Sequence, residues 1–361
     1  MKKSTTLIVC ILFFQTISLF SQSSLQGLIQ QGINKVYNME FDSAEKTFDR
    51  MIELYPEQPH GYFYTAQLHF WLFLGTRDIG EYYTFLKFAE ISQQKIDKLI
   101  EENKGTERIH NLAGNLASYR AMSSAVNNSP VDALWSSKKA LDNFEKALEI
   151  NPRFYNAYFG LGLLDYAMSF VPDFLRWAVN LSGLSSDKQR GLRYLNTAYK
   201  RGTSDKTEIA FHLSRIYADY LADYDSSYFY IRQLINTHPK NTLFHYQYAV
   251  FLIKDKKLDA AINPLNTVIR INNKRFSQIT ALAHYRKGEI SFKKNQFADA
   301  IKHYKIFLEE SNELDFTGLA SYNIALSSML LDDDDGYKEF IQLAREGNKD
   351  IFEDSYAKER S

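Results

Sequence analysis

Chemistry needs groups that ionise, coordinate or attack, held at spacings that let them converge. This chain carries eight histidines: His60, His69, His110, His212, His238, His245, His284 and His303. No two stand four residues apart, and neither a His-Glu-x-x-His nor a Cys-x-x-Cys pattern occurs, so no zinc-ligand spacing is written here. A single histidine on a helix reads as packed or solvated before it reads as a ligand. Cys10 is the one cysteine, and it sits in the apolar leader, so the mature chain has no disulfide and no thiol chemistry. The run "LDDDDGYKEF" (331–340) invites a calcium loop. With Gly336 at position 6, however, positions 1 and 12 are Leu331 and Gln342, which cannot serve. Asp332 to Asp335 read instead as a solvated turn and the acidic start of a helix. "FGLGLLD" has Gly160 and Gly162 but no third glycine and no preceding strand, so it is no dinucleotide loop. Gly-x-Ser-x-Gly and phosphate-loop patterns are missing as well. The expectation is a non-enzyme with no catalytic residue, no cofactor and no metal.

What elements, then, does the sequence specify? Hydrophobic residues make up 45% of the 361 and aromatics 15%, enough for a large core and too much for a disordered chain. Seven prolines and sixteen glycines leave long helices few interruptions. Lys+Arg and Asp+Glu both number 43. Lys2 and Lys3 lie in the leader, so removing it leaves an excess of two acids. No basic excess exists to attract nucleic acid or an anionic membrane. Residues 1–22, "MKKSTTLIVCILFFQTISLFSQ", have the positive start, apolar middle and small residue of a secretory signal peptide. Cys10 is not placed as a lipoprotein cysteine would be. The reading is export to the periplasm or the outer-membrane periphery of a Gram-negative cell. No integral membrane segment follows, and peripheral membrane contact stays open.

A pattern recurs along the rest of the chain. "FDSAEKTFDRMIELYP" (41–56) has Ala44, Phe48, Met51 and Pro56; "KKALDNFEKALEINP" (138–152) has Ala140, Phe144, Ala147 and Pro152 at the same offsets. Ser227, Ala261 and Ala300 open further copies, and Gly191 a sixth. A small residue followed at +4 and +7 by large ones lines one helix face, and the small residue lets a neighbouring helix approach. Twelve positions upstream a second small residue often stands: Gly32 before Ala44, Ala249 before Ala261, Gly288 before Ala300. From Ser227 to Ala261 is 34 residues, the tetratricopeptide period. The sequence thus resembles a tetratricopeptide-repeat array. The expected fold is all-α: a superhelix (α-solenoid) of about seven to eight helix pairs over 23–348, with a tail at 349–361. Residues 61–126 depart from the strict period and predict longer helices, with Thr106 as an N-cap.

"FYNAYFGLGLLDYAMSFVPDFLRWAVNLSGLSSDKQRGLRYLNTAYKRG" (154–202) carries a closer likeness. A Gly-containing helix is followed by Ser169-x-x-Pro172, an apolar stretch to Gly183, and Gly-Leu-x-x-Leu at Gly191–Leu195. In this order of features the chain is similar to the tetratricopeptide repeat protein 39 family of animals and the fungal inclusion-body clearance proteins. That resemblance implies a repeat scaffold. The signal peptide departs from the cytosolic setting of those proteins, so their biological role does not carry over.

In such arrays the first helix of each pair lines the concave face. The residues placed there are apolar and aromatic: Phe159, Leu163 and Tyr166, then His212 and Tyr220, then Tyr246 and Tyr285. Ile29 and Ile33 occupy places where a carboxylate clamp puts polar side chains, which disfavours such a clamp. The insert 170–187 carries Phe174 and Trp177 and is apolar nearly all round from 172 to 184, the pattern of a buried short helix. It is expected either to plug the groove or to dock a partner. The function read from this is an exported, non-catalytic scaffold that binds a protein or peptide. Two alternatives are a carrier of a small apolar ligand or lipid, and a hydrolase with a site assembled across repeats.

Overall fold

The computed structural model describes residues 24–127, 129–171, 179, 183–184, 186–203, 206–311 and 316–346. Among them every regular element is helical. The helices fall into eight consecutive pairs: α1 (Leu25–Tyr37) with α2 (Phe41–Leu54), α3 (His60–Thr76) with α4 (Ile79–Glu101), α5 (Glu107–Val126) with α6 (Pro130–Ile150), and α7 (Ala157–Met168) with α8 (Lys188–Arg201). Then come α9 (Lys206–Asp219) with α10 (Tyr224–Thr237), α11 (Thr242–Lys254) with α12 (Leu258–Ile271), α13 (Gln278–Lys293) with α14 (Phe297–Glu310), and α15 (Thr317–Met329) with α16 (Asp334–Arg345). This is the expected tetratricopeptide α-solenoid. The longer helices expected over 61–126 include α4 and α5, of 23 and 20 residues; α6, of 21, is also long.

Contacts divide the described residues into two compact units, one falling within Met1–Phe73 and Asp78–Ile209, the other within Leu74–Arg77 and Ala210–Ser361. In the first unit the small-residue rule is visible atom by atom. A Cβ on Gly32 of α1 would lie 2.1 Å from Phe48 of α2, and one on Gly114 of α5 would lie 2.5 Å from Phe144 of α6. Phe144 is fully buried and also fills the space over Gly160 of α7. One large ring on a second helix therefore nests against two glycine-bearing first helices. In the second unit Ala249, Ala261 and Ala300 are wholly buried, and Tyr304 of α14 packs over Gly288 of α13. Ala320, Ile324, Phe340 and Ile341 close that core between α15 and α16.

Local signals set the helix ends. Thr106 accepts a hydrogen bond from the Ile109 amide at 3.4 Å, and Asn241 one from Phe244 at 3.1 Å. Asp333 caps α16 by accepting from the Gly336 amide at 3.0 Å, and Asp334 and Asp335 lie in its first turn. The acidic run is thus a helix start, as its sequence implies. Six turns within pairs share one device. Met39, Arg77, Ala222, Lys256, Asn295 and Asp332 each have positive φ, and each stands two residues before the second helix of its pair.

Candidate functional site

Each unit gathers a polar cluster between its first helices. In the first unit the cluster centres on Tyr119 of α5. Gln67 of α3 donates to the Tyr119 hydroxyl at 2.5 Å, and that hydroxyl donates to Glu208 Oε1 at 3.1 Å, in the first turn of α9. Three first helices, α3, α5 and α9, therefore meet at one oxygen atom. Rings from α3 surround it: Phe63, Phe70 and Trp71 lie 6.1, 5.5 and 6.3 Å from the Tyr119 ring. Burial, reinforced by the charge of Glu208, holds the phenol well above the ordinary tyrosine range, so it stays protonated and donates.

In the second unit the cluster lies on α13. Arg286 donates from Nε to the Tyr246 hydroxyl of α11 at 3.2 Å and from an Nη atom to Glu289 at 2.7 Å. Lys293, one turn on, donates to the other Glu289 oxygen at 2.6 Å. The guanidinium lies 5.1 Å from the centroid of Tyr285 and 5.8 Å from that of Phe316. Burial opposes its charge, but Tyr246 and Glu289 hold Arg286 above the ordinary arginine range. Burial likewise opposes the charge on Glu289, and Arg286 and Lys293 keep it below the usual carboxylate range. The Arg286 and Glu289 side chains are each about a fifth exposed, and that of Lys293 about half. This row is a charged, solvent-reaching strip set among aromatic rings.

The residues singled out from the sequence are placed as follows. Phe159 and Tyr166 on α7 are buried and Leu163 is half-buried; Phe159 and Tyr166 are 5% and 6% exposed. His212 on α9 is half-buried, and Tyr220, just past its end, is 53% exposed. Tyr246 and Tyr285 are buried, and Arg286 brings them together by bonding the first and lying over the ring of the second. Phe174 and Trp177 lie outside the described residues, as does most of the insert. Of its apolar side chains that are described, Val179 and Leu184 are buried, Val171 is half-buried and Phe170 is exposed.

Sequence reasoning did not name Gln67, Tyr119, Glu208, Arg286, Glu289 or Lys293. For the last three a signal existed. "RKGEISFK" puts Arg286, Glu289 and Lys293 at i, i+3 and i+7, one face of a helix. For the first three none existed, because Gln67 and Glu208 are 141 residues apart. The histidines read as single also differ from that reading in one place: His284 on α13 and His303 on α14 face each other, Nδ1 to Nδ1, at 3.2 Å.

Among the described residues no three His, Cys, Asp or Glu side chains converge as a metal cage. No helix there is long and apolar enough to cross a membrane.

Consecutive helix pairs packed through small residues, as Gly32 packs on Phe48 and Gly288 on Tyr304, define a tetratricopeptide-repeat protein, a class that binds other proteins. The family model for Iml2/Tetratricopeptide repeat protein 39 matches residues 81–314, about two thirds of the chain. The chain belongs to that family. No curated protein sequence matches it. Its structure is similar to that of pilF from Pseudomonas aeruginosa, at 11% identity and a TM-score of 0.45, over 70% of this chain and 97% of that one. It is similar to yeast Tom70 at 15% identity and a TM-score of 0.44, over 91% of this chain and 78% of that one. Likeness of this degree carries no functional information.

Proposed function

We propose that this chain is an exported, non-catalytic scaffold that holds a peptide segment of another protein against the first helices of its second unit. The observation that supports it is the Arg286–Glu289–Lys293 row, which reaches solvent between Tyr246, Tyr285 and Phe316. Aromatic rings supply apolar contact area, and a charged group beside them fixes register and discriminates partners. The excess of positive charge in the row favours an acidic or carboxylate-bearing segment. Family membership supports a binding role. Export is supported by the layout of residues 1–22.

The test is co-purification from the native host with wild-type protein and with Lys293→Glu. Lys293 is exposed enough that the substitution leaves the fold intact, checked by an unchanged thermal melt. Loss of a specific, saturable partner with the variant supports the reading; equal recovery of every partner removes it. Fractionation of the same cells, with the N-terminus of the mature chain read by mass spectrometry, tests export separately. An intact leader in a cytoplasmic pool would end that part.

A further inference from the structure

His284 and His303 stand nineteen residues apart in the chain and meet across the α13–α14 hairpin. Their Nδ1 atoms are 3.2 Å apart, their ring centroids 5.4 Å apart, and their planes inclined by 36°. The core beneath them fixes this spacing. Tyr285 and Tyr304, the next residue after each histidine, are both buried, with ring centroids 5.5 Å apart. Tyr304 in turn is wedged over Gly288. Both imidazoles are half-buried, so they are held in place yet reachable from solvent. A tetrahedral ion with metal–nitrogen bonds of about 2.0–2.1 Å holds two imidazole nitrogens about 3.4 Å apart. The observed gap needs to widen by only about 0.2 Å to meet that bite.

We propose that His284 and His303 form a two-nitrogen site for a late first-row divalent metal ion of the zinc, nickel and copper group, with water in the remaining positions. Burial, together with the charge of Lys287, holds both imidazoles below the ordinary histidine range, so both rings are neutral. Without metal one Nδ1 donates its proton to the other; on metal binding that ring takes the Nε2–H tautomer, with no net proton released, and both Nδ1 lone pairs face the ion. The surrounding charges pull both ways. Lys287 and Lys302 repel a cation at His303, and Asp299, one turn earlier on α14, attracts one. No third ligand-type side chain converges there among the described residues. The site is therefore open and selects ions that prefer nitrogen over magnesium or calcium, which need oxygen cages. It lies outside the Arg286 row and does not depend on the scaffold reading.

The probe is Cu2+ alone, titrated into the full chain in a non-coordinating buffer and followed by electron paramagnetic resonance. The expected result is one saturable equivalent with hyperfine coupling to two imidazole nitrogens. His284→Gln and His303→Gln should each weaken binding about tenfold or more and lose the paired coupling. Their melts without metal should match the wild type. Binding unchanged in the double variant, or a wild-type spectrum without paired nitrogens, overturns the proposal. The wild-type spectrum decides alone if either variant melts early.

Discussion

Gly162 of α7 and Gly191 of α8 cross backbone to backbone. A Cβ on Gly162 would lie 2.9 Å from the Gly191 carbonyl oxygen, and one on Gly191 would lie 2.8 Å from the Gly162 oxygen. Neither neighbour is a flexible side chain, so neither can move aside. Alanine favours a helix over glycine by about 1 kcal/mol, but forcing a methyl into a closed contact costs about 1–3 kcal/mol. Gly191→Ala is therefore expected to lower stability, with a urea midpoint clearly below wild type. A higher midpoint would show that this crossing is loose.

Beside that crossing Arg190 grips Asp165 through two N–H···O bonds of 2.6 and 2.5 Å. Asp165 is buried and Arg190 is about a third exposed. Breaking a buried pair from one side costs about 3–5 kcal/mol, and partial exposure of the arginine reduces that toward about 2–3 kcal/mol. Asp165→Ala should cost this much. The double variant with Arg190→Met should recover part of it, because the arginine no longer lacks its partner. A double-mutant cycle with no coupling would contradict the pairing.

Tyr119→Phe removes the oxygen that joins Gln67 to Glu208, two half-buried side chains that keep a longer direct contact of 3.5 Å. Losing such hydrogen bonds costs about 1 kcal/mol or somewhat more. The expected outcome is a destabilised first unit with unchanged helix content by circular dichroism. Unchanged stability would mean that water replaces the hydroxyl at no cost.

Acid sensitivity should begin with histidines. Burial, with Arg215 nearby, pushes His212 down to about 3, and burial, with Arg108 nearby, pushes His60 down to about 4. Above about pH 6.5 neither the folded nor the unfolded chain protonates these rings, so they do not alter stability with pH. Between about 6.5 and 4 the unfolded chain takes up protons that the folded chain refuses, so stability falls as pH falls. Urea midpoints at pH 7.5, 6.5 and 5.5 should decline below 6.5. The slope should be shallower in His60→Gln. A flat profile would contradict the burial of these rings.

The left-handed turn residues offer a gain. Ala222 has φ 51° and Lys256 φ 59°. Such a conformation costs an L-residue about 1–2 kcal/mol, while glycine bears no Cβ penalty and loses somewhat more chain entropy. Ala222→Gly and Lys256→Gly should each raise the melting temperature modestly. A drop would show that the side chain packs more than its backbone strains.

The repeat was legible in the chain because its determinants are local. Gly32, Phe48, Ala140, Phe144 and Gly288 sit at fixed offsets, and a helix converts an offset directly into a face. The caps at Thr106 and Asp333 are likewise matters of three or four residues. The charged row on α13 was present in "RKGEISFK" but not distinguishable from a solvated helix face. That Tyr246 would meet it depends on how α11 packs against α13.

Local residue spacing specifies the hairpins, the small residues that mark their crossings and a family of repeats. Packing between distant helices sets which polar groups share an oxygen atom or a gap of 3.2 Å. Gln67, Tyr119 and Glu208 meet, and His284 meets His303, because packed helices fix their separation to tenths of an ångström. The residue pattern records that a face is buried; it does not record which atoms from another repeat lie opposite.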